Sequence, residues 1–133
     1  MTGCALCDRR FDELYSDDRC FVTLHDDSAV AGHAMVVWRA HVENVADLGE
    51  GDALHLMRVW RIAERALLDV TGLERSIVMK LGIQTPHLHI HLYPVAATRD
   101  RESIFEAIDL KVREARPEGF AEAVREAIRT AIA

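Results

Sequence analysis

Pro86-His87-Leu88-His89-Ile90-His91-Leu92-Tyr93-Pro94 is the stretch on which the reading of this chain turns. In an extended strand, alternate side chains share a face. His87, His89 and His91 then point one way, and Leu88, Ile90 and Leu92 point the other. The apolar face can enter a core, while the imidazole face must meet a ligand, a metal or solvent. Three readings compete. The strand can be half-buried, with a polar face that is histidine by coincidence. It can hold a metal, since imidazole is a common zinc ligand. Or one neutral imidazole can act as a nucleophile near its usual pKa of about 6.5, beside a protonated one that steadies phosphate oxygens. Three of the seven histidines on one strand face make coincidence a poor account.

Working outward, Arg19 to Leu24 reads as a strand ended by Asp26 and Asp27, and His33 to Trp38 as a second after the turn at Gly32. Glu50 to Thr71 is the clearest helix. Ala53, Leu56, Met57, Trp60, Ala63, Leu67 and Val70 recur at helical spacing, and Gly72 ends it. Ser76 to Leu81 is a third strand, and Leu88 to Tyr93 a fourth, closed by Pro94. Thr98 to Arg116 reads as a second helix, whole or broken, and Pro117 to Ala133 as an amphipathic one bearing Phe120, Val124, Ile128 and Ala131 on one face. Strands, helix, strands, helices in that order give an α+β fold with an antiparallel sheet. The 133 residues suit one domain, with 1–97 as its core and 98–133 as a helical C-terminal extension.

The chain carries 16 Lys plus Arg against 22 Asp plus Glu, a net charge of −6. That balance argues against a non-specific grip on nucleic acid, which needs a basic face. A local site for a small anion remains compatible with it. Met1 to Arg10 has no apolar run of the kind a secretory leader carries, and no apolar run is long enough to span a membrane. Three cysteines, an odd count, make a poor disulfide framework and fit a reducing cytoplasm. Cys4-Ala5-Leu6-Cys7 has metal spacing, but alone it leaves a redox pair, half a zinc site and coincidence all open. Cys20, inside a strand, reads as a small core residue.

The wider stretch Leu81-Gly82-Ile83-Gln84-Thr85-Pro86, continuing through His87, His89 and His91 to Pro94, closely resembles the signature of the histidine-triad (HIT) superfamily. Gly32-His33 with Ala34 to Val37, followed by His41-Val42-Glu43-Asn44, resembles that family's second landmark. The resemblance implies a HIT-like fold, with about five antiparallel strands and the main helix packed on them. It also implies roles. His89 would attack the α-phosphorus of a nucleotide and carry a covalent nucleotidyl group. His91 would contact the phosphate oxygens and help the leaving group. Gln84 would donate to the phosphate or brace the nucleophile, and Thr85 would reach the leaving-group oxygen. Asp26 or Asp27 would accept from the ribose. His87 would sit behind, and some HIT proteins join its counterpart to a Cys-x-x-Cys pair and the histidine after the Gly-His strand. Here those are Cys4, Cys7, His41 and His87, a closed Cys₂His₂ set suited to structural zinc. The resemblance implies no catalytic metal. It further implies a homodimer, for which the apolar helix Ala53 to Val70 could serve.

Two departures stand out. Only Pro86 separates Gln84-Thr85 from the first histidine, so the turn is one residue shorter than in many members and resembles a bacterial subgroup. Trp38-Arg39 replaces the usual Pro-Lys step. The leading expectation is therefore a cytoplasmic hydrolase or nucleotidyl transferase acting on a dinucleoside polyphosphate or a nucleoside phosphoramidate. The alternative is a nucleotide-binding or zinc-stabilised interaction protein without turnover. His25 and His55 receive no role, Trp38 and Trp60 read as packing, and Arg99 and Arg101 are minor candidates for phosphate contact.

Overall fold

Leu88, Ile90 and Leu92 are each at most 4% exposed, and the core is assembled around them. The structure is a computed structural model that describes residues 3–26, 30–110 and 113–132. Its elements are α1 (Ala5–Asp8), β1 (Tyr15–Ser16), β2 (Cys20–Leu24), β3 (Ala34–Trp38), a single 3₁₀ turn (Val45–Asp47), α2 (Glu50–Thr71), β4 (Arg75–Met79), β5 (His89–Val95), α3 (Arg101–Leu110) and α4 (Phe120–Ile132). The five strands form one sheet in the order β1-β2-β3-β5-β4, with every neighbouring pair antiparallel. The expected α+β class and antiparallel sheet are therefore as observed.

One face of the sheet is apolar. Val22, Val36, Leu88, Ile90 and Leu92 meet Leu56, Val59, Ala63, Ala66 and Leu67 of α2, and Phe120, Val124 and Ile128 of α4 close the cluster. Fully burying a Leu or Ile side chain stabilises by about 1.5–3 kcal/mol, so this layer holds the strand that bears the histidines. Met57 was expected on the packed stripe of α2 but is 51% exposed, because Leu56 and Val59 take the inward positions. The helix ends at Gly72, whose φ of 70° lies in the left-handed region and whose N–H donates to the Leu68 carbonyl at 2.9 Å.

The other face carries His89, His91 and Tyr93. Phe21, Met35 and Val37 are covered there by Leu6 and Phe11, while α3 lays Ile104 and Ala107 on Tyr93 and Val95. Between these covers His91 is half-buried and His89 is 9% exposed.

Some boundaries differ from the sequence reading, each for a local reason. β5 runs through Pro94 instead of stopping at it. Trp38 N–H donates to the Leu88 carbonyl, so residues 90, 92 and 94 also face β3, and pairing with β3 ends at Ala34–Leu92. Pro94 thus sits just past the end of β3, where a missing N–H breaks no ladder bond. Its ring lies against Gly32, where a Cβ would come 2.5 Å from Pro94 Cγ. α3 starts at Arg101 because the Asp100 carboxylate accepts from the Ser103 N–H at 2.8 Å, capping the helix. α4 begins only after Gly119, whose φ is 78°.

A half-buried staple ties the β1–β2 turn to α2. One oxygen of Asp17 accepts from the backbone N–H groups of Arg19 and Cys20 at 2.7 and 2.8 Å. The other accepts from the Tyr15 hydroxyl at 2.5 Å and His55 Nε2 at 2.6 Å. Burial works to raise the Asp17 carboxyl, but the bonds from Tyr15, Cys20, Arg19 and His55 outweigh it and hold the group well below the usual carboxylate range. Cys20 is fully buried. Burial and the Asp17 charge push its thiol up to about 12, which suits an inert core residue.

Candidate functional site

His89 begins β5 on the face away from α2. Its Nδ1 lies 2.6 Å from the carbonyl oxygen of His87. A carbonyl can only accept, so Nδ1 carries the proton and the Nε2 lone pair is left free. His91, one strand period on, meets His89 edge to face with ring centroids 4.9 Å apart. Its Nδ1 shares a hydrogen bond of 2.9 Å with His33 Nε2. Burial, then the neighbouring His89 and His25, push His91 down to about 4. That favours the neutral ring at pH 7. A neutral ring still offers an N–H.

His33 and His25 were given no role from sequence, yet both belong to this group. His33 is 3% exposed and stacks between His25, 4.3 Å away, and Tyr93, 4.1 Å away. The β3–β5 register explains this, because extending the Ala34–Leu92 pairing sets His33 opposite Tyr93 and diagonal to His91. Burial pushes the Tyr93 phenol up to about 12, so it stays neutral.

These rings floor a cleft of about 510 Å³, a size that suits a small-molecule ligand. Gln84 and Thr85 line it from the β4–β5 loop, Leu24 and Asp26 from the end of β2, and Arg9 and Phe11 from the N-terminal arm. Asp26 and Arg9 form an ion pair at its edge. Asp27, the other candidate ribose acceptor, lies outside the described residues. Arg99 and Arg101 do not line this cleft. Arg99 donates to the Ser103 hydroxyl at 3.1 Å and lies 3.7 Å from Glu114, and Arg101 stacks on Phe105.

Behind the cleft, Cys4, Cys7, His41 and His87 converge, with one ligand atom from each lying within 4.8 Å of all the others. His87 Nδ1 is 3.4 Å from each sulfur and 3.1 Å from His41 Nδ1, which is 3.3 Å from Cys7 Sγ. A tetrahedron with zinc arms of 2.0–2.3 Å has edges of about 3.3–3.8 Å, so donor set and spacing both fit that ion. His87 Nε2 donates to the Trp38 carbonyl, which leaves the Nδ1 lone pair facing the cluster, as a ligand histidine requires. Burial first, and then the nearby His41 and His89, push His87 down, and a neutral ring is the ligating form.

The model of the HIT domain matches residues 11–98. Among solved structures, a zinc-bound histidine triad family protein from Mycobacterium smegmatis superposes with a TM-score of 0.71 at 16% identity, covering 98% of this chain and 96% of the other. A hypothetical histidine triad nucleotide-binding protein from Sulfolobus tokodaii gives 0.69 at 19% identity, over 97% and 91%. A HIT family hydrolase from Clostridium thermocellum gives 0.60 at 18% identity, over 76% and 97%. At these identities the likeness is one of fold. Among the described residues no helix is long and apolar enough to cross a membrane.

Proposed function

This chain belongs to the HIT domain family, and from that premise we propose that it cleaves a nucleotide conjugate at the α-phosphate through a nucleotidyl-histidine on His89. The observation that carries the proposal is the 2.6 Å bond from His89 Nδ1–H to the His87 carbonyl. It supports the tautomer in which Nε2 is free to act as the nucleophile. It also places a partial negative charge against the positive charge that the ring gains when Nε2 bonds to phosphorus.

The Nε2 lone pair forms the N–P bond, the bond to the leaving group breaks, and its electron pair departs with that group, which takes up a proton from solvent where it is an amine. With His33 donating to His91 Nδ1, His91 carries its proton on Nε2 and can give a hydrogen bond to a phosphate oxygen or the departing atom. Thr85, at the cleft wall, can do the same. A water oxygen then attacks phosphorus, the N–P bond breaks, and its pair returns to Nε2. The water's proton passes to solvent or to a neighbouring imidazole. Asp26 holds the ribose hydroxyls, and Gln84 donates its amide to the phosphate.

Cys4, Cys7, His41 and His87 would hold zinc as a structural brace, with four protein ligands and no open position for an activated water. His87 links the two sites, because its ring faces the cluster and its carbonyl holds His89. Leu54 and Met57, one turn apart on α2 and 64% and 51% exposed, support a homodimer pairing through that helix. We place the protein in a reducing cytoplasm, where Cys4 and Cys7 stay available as thiolate ligands.

The test is release of adenosine monophosphate from an adenosine phosphoramidate and from a dinucleoside polyphosphate, by wild type and His89→Asn. Turnover of at least one substrate, lost in the variant while monophosphate binding persists, supports the reading. Binding without turnover in wild type would make the chain a nucleotide-binding protein instead.

A further inference from the structure

We infer that Asp109, which lines the cleft together with Ile108 and Ile83, selects the leaving group, favouring an apolar stem that carries positive charge over a polyphosphate. This rests on the reaction proposed above and adds the class of group that departs.

The cleft is divided by β5. Toward β2 lie Phe11, Leu24 and Asp26, the side given to the nucleoside. Toward β4 lie the 81–85 loop and the second half of α3, and the space left for a leaving group is there. α3 reaches that position because Ile104 and Ala107 pack on Tyr93 and Val95, with Ile77, Met79 and Ile108 around them. The helix thus crosses the histidine-bearing face of β5 and β4 and carries Ile108 and Asp109 into the cleft wall.

The chemistry of that wall is specific. Ile83 is 81% exposed and Leu81 59%, so the loop presents apolar surface to whatever enters. The charged residues lining the cleft, among those described, are Arg9, Asp26 and Asp109. Arg9 and Asp26 are paired with each other on the nucleoside side. Among the described residues a single carboxylate remains on the leaving-group side, and no Lys or Arg lines it. Sites that handle polyphosphates place cations against the developing charge. Here a polyphosphate would meet aliphatic carbon and a like charge, whereas an alkyl amine with a second, ammonium end would meet complementary groups on both counts.

The probes are adenosine phosphoramidates of two amines of equal length, one ending in methyl and one in ammonium, together with diadenosine tetraphosphate. The quantity read is the ratio of kcat/KM values within each protein, so a loss common to all substrates from a damaged fold cancels. Wild type should prefer the ammonium-ended substrate by about two- to fivefold, the range of an exposed ion pair, and the preference should shrink at high salt. Asp109→Asn should bring the ratio near one. Asp109→Lys should invert it and raise tetraphosphate cleavage relative to the methyl-ended substrate. A wild-type ratio of one, or a ratio unchanged in Asp109→Asn, overturns this inference while the reaction itself stands. Absence of His89-dependent release from every probe overturns the reaction, and this inference with it.

Discussion

Replacing Asp17 with Asn should destabilise the protein by about 2–3 kcal/mol at pH 7, through the two bonds that the amide cannot make. Asn keeps an oxygen for the N–H groups of Arg19 and Cys20, but turns an NH₂ toward the Tyr15 hydroxyl and His55 Nε2, both donors to the native carboxylate. Hydrogen bonds to a charged acceptor contribute about 1.5–3 kcal/mol each. The gross loss of about 3–6 kcal/mol is reduced because the site is 14–20% exposed at His55 and Asp17, so water recovers part of it. Thermal melts followed by circular dichroism should show a drop of roughly 6–12 °C. The pH dependence has a definite sign. Asp17 is held below its ordinary value, so its contribution is fully present above the unfolded pKa of about 3.9 and is lost as pH falls through the folded value. The gap between wild type and Asp17→Asn should be constant from pH 7 to about 5 and close below about 4. A gap under about 0.5 kcal/mol at pH 7, or one that does not narrow in acid, would refute the reasoning.

Protein purified without added metal should contain about one zinc per chain, and Cys7→Ser should lose it. A strong chelator should lower the melting temperature, and at a hundredfold excess over Kd the bound ion stabilises by about 2.7 kcal/mol. Loss of turnover on chelation with an unchanged melt would contradict a structural metal. His33→Phe keeps a ring between His25 and Tyr93 but removes the bond to His91. Single-turnover kinetics should show about a ten- to hundredfold slower chemical step with nucleotide affinity little changed, and an unaltered rate would show that His33 only packs.

The histidine strand and α2 were legible because each writes its period into the sequence, two residues in one case and 3.6 in the other. β1 has two residues and α1 four, too short for any period to register. The Cys4, Cys7, His41 and His87 set was reached through resemblance and not through spacing, since its members lie on three separate segments. The downward shift of His91 has no sequence signature for a related reason. Burial depresses it first, and then His89 and His25, from a neighbouring position and from the end of β2; neither burial nor a cross-strand neighbour leaves a local pattern. Gly32-His33 was visible as a landmark, and His33's role follows once the β3–β5 register is fixed. Which face of α3 meets the cleft depends on the packing of Ile104 and Ala107 under it, a tertiary choice that helical periodicity alone does not make.

The central claim is that His89 Nε2 becomes covalently nucleotidylated. The direct measurement is a peptide mass map of protein mixed with an adenosine phosphoramidate and quenched within the first turnover by denaturant at alkaline pH, where a phosphorus–nitrogen bond to histidine survives. The account predicts an adenylate on the peptide carrying His89 in wild type, its decay at the rate of product release, and no adduct in His89→Asn. An adenylate on any other residue, or turnover that persists in His89→Asn without an adduct, would contradict it.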